Sequence, residues 1–173
     1  MGRLPVVLIG LPGCGKSTAG RLAARSLGAP FIDLDQEISR ETGQAVARIF
    51  DVEGEAPFRA LERELMSRIM EQPAGVIAPG GGWAAQPGNL DTLGDRALVI
   101  YLRVTPATAA ERVGDGSSRP LLAGRDPLEV LSALLEAREP WYRQAPYSVD
   151  TDGRPARAVA EVIVRLARRQ GGW

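Results

Sequence analysis

The sequence predicts an α/β fold built on a parallel sheet with helices on both faces. Short apolar runs alternate with helix-like segments along the whole chain, the pattern of strands joined by crossover helices. The first run, VVLIG, feeds a glycine-rich loop that opens a helix. The longest run, ALVIYLRV, is nearly continuous in apolar residues, as a strand covered on both faces requires.

Taken in order, 6–10 (VVLIG) reads as a buried strand between Pro5 and the loop. Residues 17–27 read as a helix, with Leu22, Ala23 and Leu27 at helical spacing and Gly28 as the stop. FIDLD, 31–35, is a second strand. Residues 56–71 form a strong helix whose apolar stripe is Phe58, Leu61, Leu65 and Ile69. VIAPGGG, 76–82, is a third strand ending in three glycines, and ALVIYLRV, 97–104, a central one. A helix at 106–113 starts on Pro106. The loop 114–127, GDGSSRPLLAGRDP, is long and poor in helix signals, which points to a functional or a disordered segment. Residues 127–144 read as helix interrupted near Pro140. A strand at 147–150 and a helix at 156–169 follow, and the tail QGGW is expected to fray. No repeat or linker breaks the pattern, so a single domain over 1–173 is expected.

Composition sets the outer limits. Apolar residues make up 45% and charged residues 24%, enough for a sizeable core. The net charge of zero gives no bulk pull toward nucleic acid or anionic membrane. No apolar run is long enough to span a bilayer. The apolar N-terminal stretch runs into the loop without a cleavage region, so it reads as a strand and not a signal peptide. The absence of histidine removes His-dependent triads, His general bases and His-built zinc sites. The single cysteine, Cys14, excludes an internal disulfide and fits a reducing, cytoplasmic setting.

Residues 10–17, GLPGCGKS, match G-x-x-x-x-G-K-[ST] in full. Phosphate oxygens need several converging backbone N–H donors, and glycines let the chain curl that tightly. Gly13, Cys14, Gly15, Lys16, Ser17 and Thr18 form the phosphate-binding set, aided by the positive end of the helix that follows. Of 21 basic residues Lys16 is the only lysine. It supplies a slim, mobile charge for the β- and γ-phosphates, and Ser17 a hydroxyl for Mg²⁺. Cys14 reads as a small spacer, since no histidine exists to activate it.

Asp33 and Asp35 close the second strand, and a strand's period of two puts both carboxylates on one face. One could hold a Mg²⁺ water and the other accept a hydroxyl proton; capping of the following helix is the rival reading. Arg59 flanks the apolar stripe with Glu62 placed to brace it. Arg138 lies on a later helix. From spacing alone Arg59 and Arg138 read as solvated arginines; converging, they would grip a carboxylate. Gly80, Gly81 and Gly82 leave bare backbone at a strand's carboxyl end, where a ligand can come close. Arg119, with Arg125 as a rival, could fold over transferring phosphate from the long loop.

In this order the motifs GLPGCGKST, FIDLD, GEAPFRALE, PGGGW, SRPLL and REPWY resemble those of the shikimate kinase family, from residue 6 to about 150. The resemblance implies a three-layer α/β/α P-loop sandwich like that of nucleoside monophosphate kinases, with a five-stranded parallel sheet in order 2-3-1-4-5. It implies a substrate-binding segment at about 35–62 and a lid at about 114–127. It implies ATP- and Mg²⁺-dependent phosphorylation of the shikimate 3-hydroxyl, on the route to chorismate and aromatic amino acids. Asp35, Arg59, Gly81 and Arg138 would bind shikimate, with Asp35 the general base. Ser17 and Asp33 would hold Mg²⁺, Lys16 and Arg119 would act on the phosphates, and Arg112 and Arg154 would flank adenine. Trp83, after the glycines, and Arg143 with Gln144 depart mildly from the family pattern. A monomer with no nucleic-acid or membrane partner is expected. Another small-molecule or nucleotide kinase, or a non-catalytic ATP-binding regulator, remains the alternative; a regulator would typically lack Lys16, Asp35 or Arg119, and all are present.

Overall fold

The computed structural model describes residues 2–114, 122 and 124–173. Five strands, β1 (Val6–Ile9), β2 (Phe31–Asp33), β3 (Val76–Ala78), β4 (Leu98–Arg103) and β5 (Tyr147–Asp150), form one sheet in the order β2-β3-β1-β4-β5. Every pairing is parallel, with Val6 opposite Val76 and Leu98, and Asp33 opposite Ala78. The order implied by the resemblance is therefore the one observed. All four β1 residues and five of the six in β4 are buried, as inner strands between helical layers must be.

Among the described residues eight α-helices surround the sheet: α1 (Lys16–Leu27), α2 (Leu34–Thr42), α3 (Val46–Glu53), α4 (Glu55–Ile69), α5 (Asn89–Leu93), α6 (Pro106–Val113), α7 (Pro127–Tyr142) and α8 (Ala156–Gln170). Helix α1 packs against α8, α4 against α2 and α3, and α6 against α7. Strand order reverses direction beside β1, so the loop after β1 lies at the switch point where α/β folds bind ligands. None of the described helices is long and apolar enough to cross a membrane.

Four expectations are corrected at this level, and others with the site. The second strand stops at Asp33, two residues early, because Asp33 caps α2: its Oδ1 accepts from the N–H of Asp35 (3.1 Å) and of Gln36 (3.3 Å). The two carboxylates therefore do not share a strand face; one caps a helix and the other lies in its first turn. Helix α1 buries Ala19, Gly20, Ala23 and Ala24, whereas Leu22 is 39% exposed. The face against the sheet is made of small residues, which the search for large apolar ones passes over. Helix α7 runs through Pro140 without a break, since the proline falls in the last turn, between buried Arg138 and Tyr142.

The fourth correction is the tail. Leu4 donates its N–H to the Gly171 carbonyl at 2.8 Å, and the Trp173 Nε1–H donates to the Leu4 carbonyl at 2.8 Å. The Arg3 guanidinium lies 5.1 Å from the centre of the Trp173 ring, a cation–π contact. The QGGW tail is thus clasped to the start of the chain. Trp173→Ala should lower unfolding free energy by about 1–2 kcal/mol, for one lost hydrogen bond and its packing. Urea unfolding checks this; a frayed tail would leave the midpoint unchanged.

Candidate active site

The phosphate loop is shaped by backbone that only glycine adopts comfortably: φ is +82° at Gly13 and +94° at Gly15. Helix α1 starts at Lys16 with no side-chain cap, so its first N–H groups remain available to an anion. The Lys16 Nζ donates to the carbonyls of Gly10 (2.6 Å) and Leu11 (3.0 Å) and lies 3.5 Å from the Cys14 Sγ. Cys14 is buried under the loop, in keeping with a spacer role. Ser17 Oγ donates to Asp33 Oδ2 at 3.1 Å. Asp33 thus divides its oxygens, one capping α2 and one on Ser17, so capping leaves its second oxygen facing the loop. The Ser17 hydroxyl and this carboxylate are hard oxygen donors of the kind Mg²⁺ takes alongside waters and phosphate oxygens.

These groups line a cavity of about 440 Å³ with Gly13, Gly15, Thr18, Pro79 and Arg112. A neighbouring cavity of about 550 Å³ is lined by Phe50, Phe58, Arg59, Glu62, Leu122 and Arg138, among others. Pro12, Asp35, Gln36, Gly80 and Gly81 belong to both walls. Asp35 thus stands where the two cavities meet.

Arg59 and Arg138 are not solvated; each is at least nine-tenths buried. The Arg59 Nη1 donates to Glu62 Oε2 at 2.6 Å, its Nε lies 3.3 Å from Glu55 Oε1, and its guanidinium sits 5.7 and 5.4 Å from the Phe50 and Phe58 ring centres. Two carboxylates and two aromatic rings fix this cation. The three glycines now have a reason. A side chain on Gly82 would strike the Arg59 guanidinium, one on Gly81 would come within 3.2 Å of Arg138 Nη1, and one on Gly80 within 3.1 Å of Asp35 and Glu62 oxygens. The strand itself ends earlier than expected, at Ala78; the glycines form the turn beyond it.

Tyr142, fully buried, donates its hydroxyl to the Gly81 carbonyl, and burial raises its pKa, so it stays a donor at any working pH. Gln86 Nε2 donates to the Gly82 carbonyl (3.2 Å) and Asn89 Nδ2 to that of Trp83 (2.8 Å). Neither the role of Tyr142 nor that of Gln86 and Asn89 was legible from spacing, though the tyrosine falls four residues after Arg138, one helical turn on. Arg112 donates to the Gly13 carbonyl (3.3 Å) and to Thr151 Oγ1 (3.1 Å) and carbonyl (2.7 Å), tying the loop to the chain after β5. Arg154 is exposed, and its backbone N–H is bonded to the Thr151 carbonyl. Arg119 lies outside the described residues; of the expected lid, Leu122 is buried against the 550 Å³ cavity.

A sequence profile described as shikimate kinase matches residues 12–168. The chain belongs to the shikimate kinase family. It is 45% identical over 158 residues to the shikimate kinase of Moorella thermoacetica, covering 91% of each chain. It is 42% identical over 163 residues to that of Rhodococcus jostii, covering 93% of this chain and 96% of the other. Its backbone matches the shikimate kinase of Acinetobacter baumannii, solved in complex with shikimate, with a TM-score of 0.90 at 38% identity over 96% of this chain and 94% of that one.

Within this family framework the Glu62 carboxyl is held far from its ordinary value. Burial pushes its pKa up to about 7 from 4.5, against the pull of Arg59 and with the push of Asp35. A folded value above the unfolded one means that the protonated carboxyl stabilises the fold below pH 4.5, and that this contribution is lost as pH rises to about 7. Relative to Glu62→Gln, wild type should lose unfolding free energy across that window. Urea titrations of both proteins at stepped pH measure the difference; a gap that stays constant with pH refutes the assignment.

Proposed function

We propose that this chain transfers the γ-phosphoryl group of ATP to the 3-hydroxyl of shikimate, giving shikimate 3-phosphate and ADP. The observation that carries the reading is the meeting of two cavities at Asp35, one floored by the phosphate loop and one gripped by two buried arginines. ATP phosphates lie along the loop, against its N–H groups and the open end of α1. Shikimate lies in the other cavity, its carboxylate on Arg59 and Arg138 and its hydroxyls toward Asp35 and the backbone of Gly80, Gly81 and Gly82. A buried pair of guanidinium groups suits a small carboxylated ring better than a nucleobase, which separates this reading from a nucleotide kinase.

Phosphoryl transfer asks the protein mainly to align the groups and spread charge. Asp35 accepts the proton of the attacking hydroxyl. Lys16 exchanges the Gly10 and Leu11 carbonyls for phosphate oxygens. Ser17 and Asp33 would hold Mg²⁺, Asp33 through water; the ion neutralises charge on the β- and γ-phosphates when bound. Arg119 closes over the phosphates, and Arg112, with the chain near Arg154, borders adenine. A monomer is part of the same proposal, and the lone buried cysteine supports a reducing, cytoplasmic setting.

Purified protein with ATP, Mg²⁺ and a panel of acceptors, coupled to ADP detection, tests the assignment. Shikimate should be phosphorylated; turnover on a nucleotide or gluconate in its place overturns it. Asp35→Asn should lower kcat by about 10²–10⁴ while ATP still binds, and near-normal kcat would remove the base role. Arg59→Leu should raise the shikimate KM by roughly 30-fold or more with little change for ATP. An equal loss for both substrates would contradict a carboxylate grip.

A further inference from the structure

Among the described residues, the ionisable side chains on the wall of the cavity of about 550 Å³ are Asp35, Arg59, Glu62 and Arg138. They come from three helices, α2, α4 and α7, and make two cations and two carboxyls. Glu55 approaches Arg59 from the solvent side, with its side chain 64% exposed, so water screens it. Tyr142, behind the wall, stays neutral. With both carboxyls ionised the charges on the wall balance. A ligand carboxylate gripped by Arg59 and Arg138 upsets that balance, because three negative charges then face two positive ones. An unbalanced buried charge is expensive, and a buried acid removes it by taking up a proton.

In the shikimate reading Asp35 stays ionised to accept the hydroxyl proton, and the ligand carboxylate sits against the guanidinium groups. That leaves Glu62, the most buried of the four at 1% exposed. Its Oε2 accepts from Arg59 Nη1 at 2.6 Å, and its Oε1 is buried with no hydrogen-bond partner among the described residues. A side chain on Gly80 would come within 3.1 Å of both this Oε1 and the Asp35 Oδ1. Two carboxyl oxygens therefore stand near one another across bare backbone. A proton on Oε1 gives Glu62 a donor there and leaves Oε2 to Arg59.

Resting on the shikimate reading of the site, we propose that Glu62 is a positioning residue that takes up one proton as the substrate carboxylate binds, so that a neutral acid holds Arg59 while its charge turns to the substrate. In the free protein burial already lifts the Glu62 pKa to about 7. A bound carboxylate raises it further. Substrate affinity is then full below about pH 7 and is lost as pH rises through that value.

Calorimetric titration of the full chain with shikimate, without nucleotide, in two buffers of very different ionisation enthalpy counts the protons, and equilibrium dialysis measures binding independently. At pH 6 little uptake is expected; at pH 8 it should approach one proton per shikimate, with affinity roughly five- to tenfold weaker than at pH 6. Glu62→Gln keeps an acceptor for Arg59 and a donor in place of the protonated oxygen, so it should bind with no proton uptake and with the pH dependence removed. Wild-type binding without uptake at pH 8, or uptake that persists in Glu62→Gln, overturns this role and leaves the functional reading standing. Absence of shikimate binding at every pH overturns both.

Discussion

Taking a guanidinium and a carboxylate out of water costs several kcal/mol per ion, yet Arg59 and Glu62 are both buried, 2.6 Å apart, one turn from each other on α4. Much of the substrate cavity follows from that pair. The Phe50 and Phe58 rings, 4.5 Å apart, flank the cation and keep water from it. Gly82 has no side chain because Arg59 occupies the space one would need. The turn after β3 must then be held by other means, and Tyr142, Gln86 and Asn89 hold it by its carbonyls. A charge is thus kept ready in a dry wall, where it acts on a ligand far more strongly than a solvated arginine would.

The lone lysine fits the same logic from the other side. Arginine serves this chain wherever a planar fork meets a carboxylate or a solvated cation suffices. At position 16 the ammonium points three donors into a tight loop and already bonds two of its carbonyls. A compact head on a flexible stem can trade these for phosphate oxygens; a guanidinium is too broad for the same space.

What was legible in the sequence depended on the range of the interactions involved. The loop, the strand order by resemblance, helix α6 and strand β5 rest on local patterns, and 106–113 and 147–150 matched to the residue. The extent of β2 was misjudged because the Asp33 side chain, accepting from the N–H groups of Asp35 and Gln36 ahead of it, turned strand into helix there. Helices α2 and α3 carry few buried residues, Leu34 and Ile38 in one and Ile49 in the other, so their periodicity was too thin to read. The burial of Arg59 and Arg138 depends on segments about 80 residues apart, and no local spacing reports that. The motif order found these residues; only the packed structure shows why they must be arginine.

The clasp between Leu4 and the Gly171–Trp173 tail has a topological meaning. It joins the two chain ends at the pole where β1 begins, while the phosphate loop leaves the opposite end of the same strand. A short peptide bridging the ends would close the backbone into a ring without crossing the cavities. Such a ring could then be cut at an exposed turn elsewhere, giving a circular permutant in which β1 and its loop lie in the interior of the chain.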